Sequence, residues 1–209
     1  YKYAEELTQG IHQPEFAATL ESQTAFNKDI LESTISTWKK YLDNHDGGPN
    51  RSPKFPLPNN YEFLLRYAID TKDHELLKHV DLTLKKMAYG GIYDQIGGGF
   101  ARYSTDSAWK IPHFEKMLYD NAQLISLYSK AYQVNKDPLY KQIIIETAAF
   151  LKREMSDGDG KYYSAIDADS EGEEGKFYVW TKEELNAISF PQIKNNKQQE
   201  LVFDYFNIN

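Results

Sequence analysis

The side chains of this sequence best suited to moving protons are Asp94, His113, Glu115, Asp120 and Asp167. Carboxyl and imidazole groups titrate near enough to neutrality to serve as general acids and bases. Around them stand Gln95, Arg102, Tyr103, Trp109, Asn121 and Asp169, a mixture of amide, guanidinium, aromatic and carboxylate groups. That mixture suits the binding and orienting of a hydroxyl-rich ligand such as a sugar. Most of these residues fall in one stretch, GGIYDQIGGGFARYSTDSAWKIPHFEKMLYDNA, from Gly90 to Ala122. Loops of such length inside a compact domain are uncommon, and those that exist tend to carry function.

Each feature also has a plainer reading. If Pro112 opens a helix, Glu115 can simply answer the helix dipole and His113 can be a surface or packing residue. Asn121 falls on the apolar stripe of that helix, so it is either a hydrogen-bonded core amide or a group facing a cavity. Gly97, Gly98 and Gly99 permit either a close approach to a ligand or a self-contained Ω-loop. No strand precedes the glycines in a βαβ unit and no Walker-type motif occurs, so they are not a nucleotide fingerprint. Asp167-Ala168-Asp169-Ser170-Glu171-Gly172 is like the opening of a calcium loop, but position twelve is Tyr178 instead of a bidentate Glu. A solvated acidic turn and a pair of glycosidase carboxylates are the other readings of this segment. No metal and no cofactor is expected.

The elements that must position these groups are helical. Leu31, Ile35, Trp38 and Leu42 mark a first helix, and Tyr61, Leu64, Leu65 and Ala68 a second capped by Asn59 or Asn60. Leu76, Leu77, Val80, Leu84 and Met87 mark a third, running from Asp73 to Gly90. Phe114, Met117, Leu118, Asn121, Leu124, Ile125, Tyr128 and Tyr132 mark a fourth that follows Pro112. Asp137-Pro138 opens a fifth, and the capping box of Thr181 and Glu184 a sixth. Two strand-like runs, 161–166 and 176–180, flank the acidic turn as a hairpin-like excursion.

Connections alternate in length. Long links (43–58, 89–112, 156–180) follow helices one, three and five, and short ones (70–72, 135–137) follow helices two and four. Short-linked helices pack antiparallel, so every second connection emerges at one end. The long loops therefore share a face, the pattern of an α/α toroid of stacked αα-hairpins. The fold class expected is all-α, a partial α/α toroid of the six-hairpin glycosidase type with about three hairpins, over residues 1–209.

Composition narrows the partners. The formal net charge of −7 and the lack of a Lys/Arg cluster exclude a nucleic-acid footprint. No run is long and apolar enough to span a membrane, and the first twenty residues lack a signal-peptide core, so a cytoplasmic location is expected. With no cysteine, thiol catalysis and disulfides are excluded. Tyr 16, Phe 11 and Trp 3 supply many aromatics to predicted loops, as a sugar-stacking surface requires.

The Gly90–Ala122 motif with DADSEGEEGKFYVWTKEEL and Ser52-Pro53-Lys54-Phe55-Pro56 resembles the thioredoxin-domain-containing family that includes bacterial YyaL and the spermatogenesis-associated proteins. The resemblance covers the chain from about Leu42 onward. It departs at Gly47-Gly48-Pro49-Asn50, where the family usually reads Gly-Gly-Phe-Gly. The resemblance implies a six-hairpin toroid related to N-acylglucosamine 2-epimerase, of which this chain is the first half, with a thioredoxin-like domain upstream. It further implies carbohydrate-active chemistry, as a sugar epimerase or a glycoside hydrolase if the domain is an enzyme. The alternative is a non-catalytic glycan- or protein-binding module coupled to the redox domain. Epimerases of the related type draw His and Glu from both halves of the ring. The chain is then expected to pack against the other half of the toroid, or to self-associate.

Overall fold

The computed structural model describes residues 27–188, 193 and 195–206. The residues read above for a signal peptide, 1–20, lie outside that range. The chain divides into two compact units between Lys40 and Tyr41. In the first, helix α1 (Lys28–Lys39) is capped by Asn27, whose side chain accepts from the N–H of Asp29. It stops short of Leu42, which forms a β-bridge with Pro49.

The second unit holds α2 (Pro58–Thr71), α3 (His74–Tyr89), α4 (Leu118–Asn135) and α5 (Pro138–Glu154). It continues with α6 (Lys182–Ala187) and α7 (Asn196–Phe206). Caps fix most of the starts. Asp73 accepts from Leu76 N–H, Asp137 from Leu139 N–H, and Thr181 and Glu184 close a reciprocal capping box. Helix α4 starts after Met117 with no side-chain cap, and helix α2 has none either. Pro58 takes its first position, where no N–H is needed, so neither Asn59 nor Asn60 caps it.

Apolar stripes decide which faces are buried. Leu76, Val80, Leu84 and Met87 of α3 are almost wholly inaccessible, as are Leu124, Leu127 and Tyr128 of α4. Tyr128 is the central tie. Its ring stacks on Phe100 at 5.6 Å, meets Tyr140 edge-on at 5.5 Å, and its hydroxyl donates to the carbonyl of Leu84 at 2.7 Å. One side chain thus joins α3, α4 and α5 and the loop before α4, with its buried hydroxyl paired.

The long connections repeat one device. In the first, Asp43 N–H donates to Gly48 O at 2.9 Å and Leu42 bridges Pro49; in the second, Asp94 N–H donates to Gly99 O at 3.0 Å and Tyr93 bridges Phe100. Each aspartate also accepts two backbone N–H groups inside its turn, from His45 and Asp46 or from Ile96 and Gly97. A buried lysine then closes each turn. Lys54 Nζ reaches Asp43 and Gly47 O, both at 2.6 Å, and Lys116 Nζ reaches Asp94 at 2.8 Å and Gly98 O at 3.0 Å. Aromatic faces cover both ammonium groups, Trp109 over Lys54 and Phe150 with Tyr178 over Lys116.

Glycine is required where the second turn meets α5. Gly99 has φ of +81°, and a Cβ there would stand 2.4 Å from the Phe150 ring.

Each lysine sits on a short extended segment that pairs with the next long loop. Lys54 pairs antiparallel with Ser104, and β3 (Lys116–Met117) pairs with β4 (Ala165–Ile166). A similar turn opens the third loop, where Asp157 N–H donates to Lys161 O at 3.1 Å and Ser156 bridges Tyr162. The three long connections are therefore zipped side by side, as the alternation of link lengths requires.

Two further expectations fail. Helix α4 begins at Leu118, not after Pro112, because β2 (Pro112–His113) pairs with β1 (Tyr103–Ser104) and β3 pairs with β4. Tertiary pairing overrides a local pattern that reads as a helix start. Nor do 161–166 and 176–180 form the flanks of a hairpin. The hairpin lies inside the acidic segment, as β5 (Asp169–Ser170) against β6 (Glu173–Glu174). Glu171 and Gly172 have φ of 56° and 81°, the two positive values that a two-residue hairpin turn needs.

Candidate functional site

The strand pair β1–β2 sets His113 directly across from Tyr103, whose ring stacks on the imidazole at 4.8 Å; Phe55 packs behind Tyr103 at 4.7 Å. Arg102 N–H donates to Glu115 O at 2.8 Å, and its guanidinium donates to the Glu115 carboxylate at 2.8 Å. From the third loop, Glu174 comes within 2.7 Å of His113 Nδ1. Its approach depends on Gly175, which has φ of +75° and where a Cβ would stand 2.4 Å from the Phe114 ring.

A carboxylate has no proton to give, so His113 Nδ1 is the donor toward Glu174. In the neutral ring this leaves a lone pair on Nε2, which points toward Glu115 at 3.7 Å. The imidazole is thus held in orientation by one carboxylate and flanked by a second. That is the arrangement of a general base whose tautomer is fixed by its neighbour.

Asp120 stands in the first turn of α4 and is only 9% exposed. Burial pushes its carboxyl up to about 6; Arg102 pulls in the opposite direction and Glu115 reinforces the rise. Among the described residues no donor hydrogen-bonds to it. His113, Glu115, Asp120 and Arg102 therefore form one cluster with Tyr103 on its edge, and Glu174 joins it.

The other candidates lie elsewhere or serve other ends. Asp94 is committed to Lys116 and two backbone N–H groups, and its carboxyl is held below the usual range against the opposing effect of burial. Gln95 donates to the carbonyls of Ala88 at 2.9 Å and Gly90 at 3.3 Å, closing the end of α3. Trp109, expected to face a ligand, is fully buried; its indole N–H donates to Asp46 O at 2.9 Å and its ring fills the space beside Gly48. Asn121 proves to be the hydrogen-bonded core amide. It accepts from Phe100 N–H at 2.7 Å and donates to Phe100 O and Met117 O.

Asp167 and Asp169 are exposed on the rim. Continuing the β3–β4 register brings Asp167 opposite Glu115, and Asp169 pairs across the hairpin with Glu174. Among the described residues no group of three metal-ligating side chains converges. No described helix is long and apolar enough to cross a membrane.

Sequence reasoning missed Glu174, Lys54 and Lys116. The glutamate lay in a segment already marked as a hairpin, but its register against His113 is a property of two loops together.

No family model matches the chain. Spermatogenesis-associated protein 20 of Homo sapiens is 44% identical over 156 residues, covering 70% of this chain and 20% of that protein. An uncharacterised protein of Caenorhabditis elegans is 36% identical over 196 residues, covering 87% of this chain and 27% of its own length. The chain thus spans about a fifth to a quarter of the length of the curated relatives it matches.

Among solved structures, a sugar epimerase from a ruminal bacterium superposes with a TM-score of 0.57 at 18% identity, over 64% of this chain and 37% of that one. Cellobiose 2-epimerase from Bacillus thermoamylovorans gives 0.54 at 12% identity, over 66% and 40%. At such identities the likeness is one of fold, the α/α toroid. Over 70% of its length the chain is thus similar to spermatogenesis-associated protein 20, and it folds as a segment of an α/α toroid.

Proposed function

We propose that the long-loop face binds a saccharide and transfers protons on it, as a sugar epimerase or a glycoside hydrolase does. One observation carries this reading. The zipped loops bring His113, Glu115, Glu174, Arg102 and Asp120 together, from separate segments, on a fold shared with sugar epimerases. His113 acts as the base that Glu174 orients. Glu115 is held by Arg102 beside the base, and Asp120 supplies a carboxyl that keeps its proton unusually well. Half-buried Phe55 and the edge of Tyr103, whose ring is sandwiched between Phe55 and His113, offer apolar surface to a sugar, and Asp167 and Asp169 line its rim.

The test uses the full-length protein. A thermal-shift screen against sugars identifies what it accepts, and turnover is then measured in the parent, Glu115→Gln and Asp120→Asn. The expected loss for each variant is ~10²-fold or more, the usual effect of removing an acid–base group. Unchanged turnover of every accepted sugar in both variants overturns the assignment. Sugar affinity without any turnover in the parent would make the face a binding module instead.

A further inference from the structure

The charges of this site do not balance. It contains one permanent cation, Arg102, which already has a carboxylate in Glu115 at 2.8 Å, while the imidazole of His113 is taken by Glu174 at 2.7 Å. The neighbouring lysines add nothing, because Lys54 and Lys116 are sealed into their own turns by Asp43 and Asp94. Asp120 is left over. It is nine-tenths buried, stands in the field of Glu115 and Arg102, and receives no hydrogen bond among the described residues. The residue nonetheless keeps 9% of its surface open to solvent. The rim deepens the imbalance. Asp167, Asp169 and Glu173 are exposed and make no ion pair among the described residues.

We propose that the saccharide taken by this face carries a protonated amine, an amino sugar with a free ammonium group seated against Asp120. The inference rests on the reading of the face as a saccharide site. An ammonium group would give Asp120 the charge-assisted hydrogen bond it lacks and would cancel the surplus charge. A phosphorylated or carboxylated sugar meets the opposite situation. It finds no unpaired cation, so it must displace Glu115 from Arg102 or Glu174 from His113 and crowd the released carboxylate. A neutral sugar can offer Asp120 a hydroxyl but leaves the charge unmatched.

Titration calorimetry on the full-length protein near neutral pH tests this with four probes: glucosamine, glucose, N-acetylglucosamine and glucuronate. Glucosamine should bind ~10-fold or more tightly than glucose or N-acetylglucosamine, and glucuronate weakest. Asp120→Asn should reduce the preference for glucosamine over glucose to within ~2-fold. Equal binding of glucosamine and glucose, or glucuronate binding as well as either, overturns the amine assignment but leaves the saccharide reading standing. A preference that survives Asp120→Asn also overturns it, since the ammonium then sits elsewhere. If none of the four binds, both readings fall. Should the variant not fold, the glucosamine to N-acetylglucosamine ratio in the parent decides alone, because acetylation removes the charge from the ligand side.

Discussion

Asp120→Asn should make this protein more stable near neutrality and leave it unchanged in acid. Burial shifts the Asp120 carboxyl from 3.8 to about 6, so the native state holds that proton over a range in which the unfolded chain has lost it. Where the native state binds more protons, stability falls as pH rises. The group's contribution is therefore fully present below pH 3.8 and is lost as pH climbs through about 6. A difference of about two pKa units corresponds to roughly 3 kcal/mol at most. Asparagine is close in shape to the protonated acid and carries no charge, so it escapes this loss.

The assay is urea unfolding of parent and variant at several pH values, read as the difference in free energy at each. Carboxylates remote from Asp120 contribute alike to both proteins and cancel, so the difference reports Asp120 together with its coupling to Glu115. The expected curve is flat and near zero below pH 3.8, rises through the interval to about 6, and levels off roughly 2–3 kcal/mol in favour of the variant. A difference independent of pH would refute the argument, because burial would then not be what perturbs Asp120. A variant less stable at neutral pH would refute it more directly.

Two further outcomes follow from the buried groups. Removing Asp94 should cost more than removing Lys116. Asp94→Asn leaves a buried ammonium without its anion, at about 3–5 kcal/mol. Lys116→Met leaves a partly exposed carboxylate still bonded to two backbone N–H groups, at about 1–3 kcal/mol. Denaturation midpoints in the reverse order would refute that asymmetry. Trp109→Ala should act as a core truncation, lowering stability by about 3–5 kcal/mol, since the ring is fully buried over Lys54. A melting temperature within the error of the parent's would show that Trp109 packs less than its burial implies.

The scaffold was readable because its signals are local. The α3 stripe of Leu76, Val80, Leu84 and Met87, the caps at Asp73 and Asp137, and the box at Thr181 each declare themselves within a few residues. The common face of the long loops followed from link lengths alone. What sequence could not show was pairing between loops. Lys54 and Lys116 read as surface residues because lysine nearly always is one. Their burial depends on aspartates 11 and 22 positions away and on rings from other segments. Trp109 read as a surface for a ligand because it stands in a glycine-rich loop, yet Gly48 leaves the space its ring occupies. Pro112 to Lys116 has the composition of a helix start, but Glu115 O is needed by Arg102 and Lys116 by Ile166.

Those same lysines explain why the site can be so acidic without falling apart. Each ammonium is neutralised inside its own turn, so the turns hold their shape with no need of the carboxylates on the face. The face is left to Arg102 and His113, and each of them is matched once. Asp120 is then a surplus that the fold tolerates at a cost in stability. A buried group that opposes folding is retained most economically where a ligand relieves it, which is why the stability curve and the sugar-binding preference should both change at this one residue.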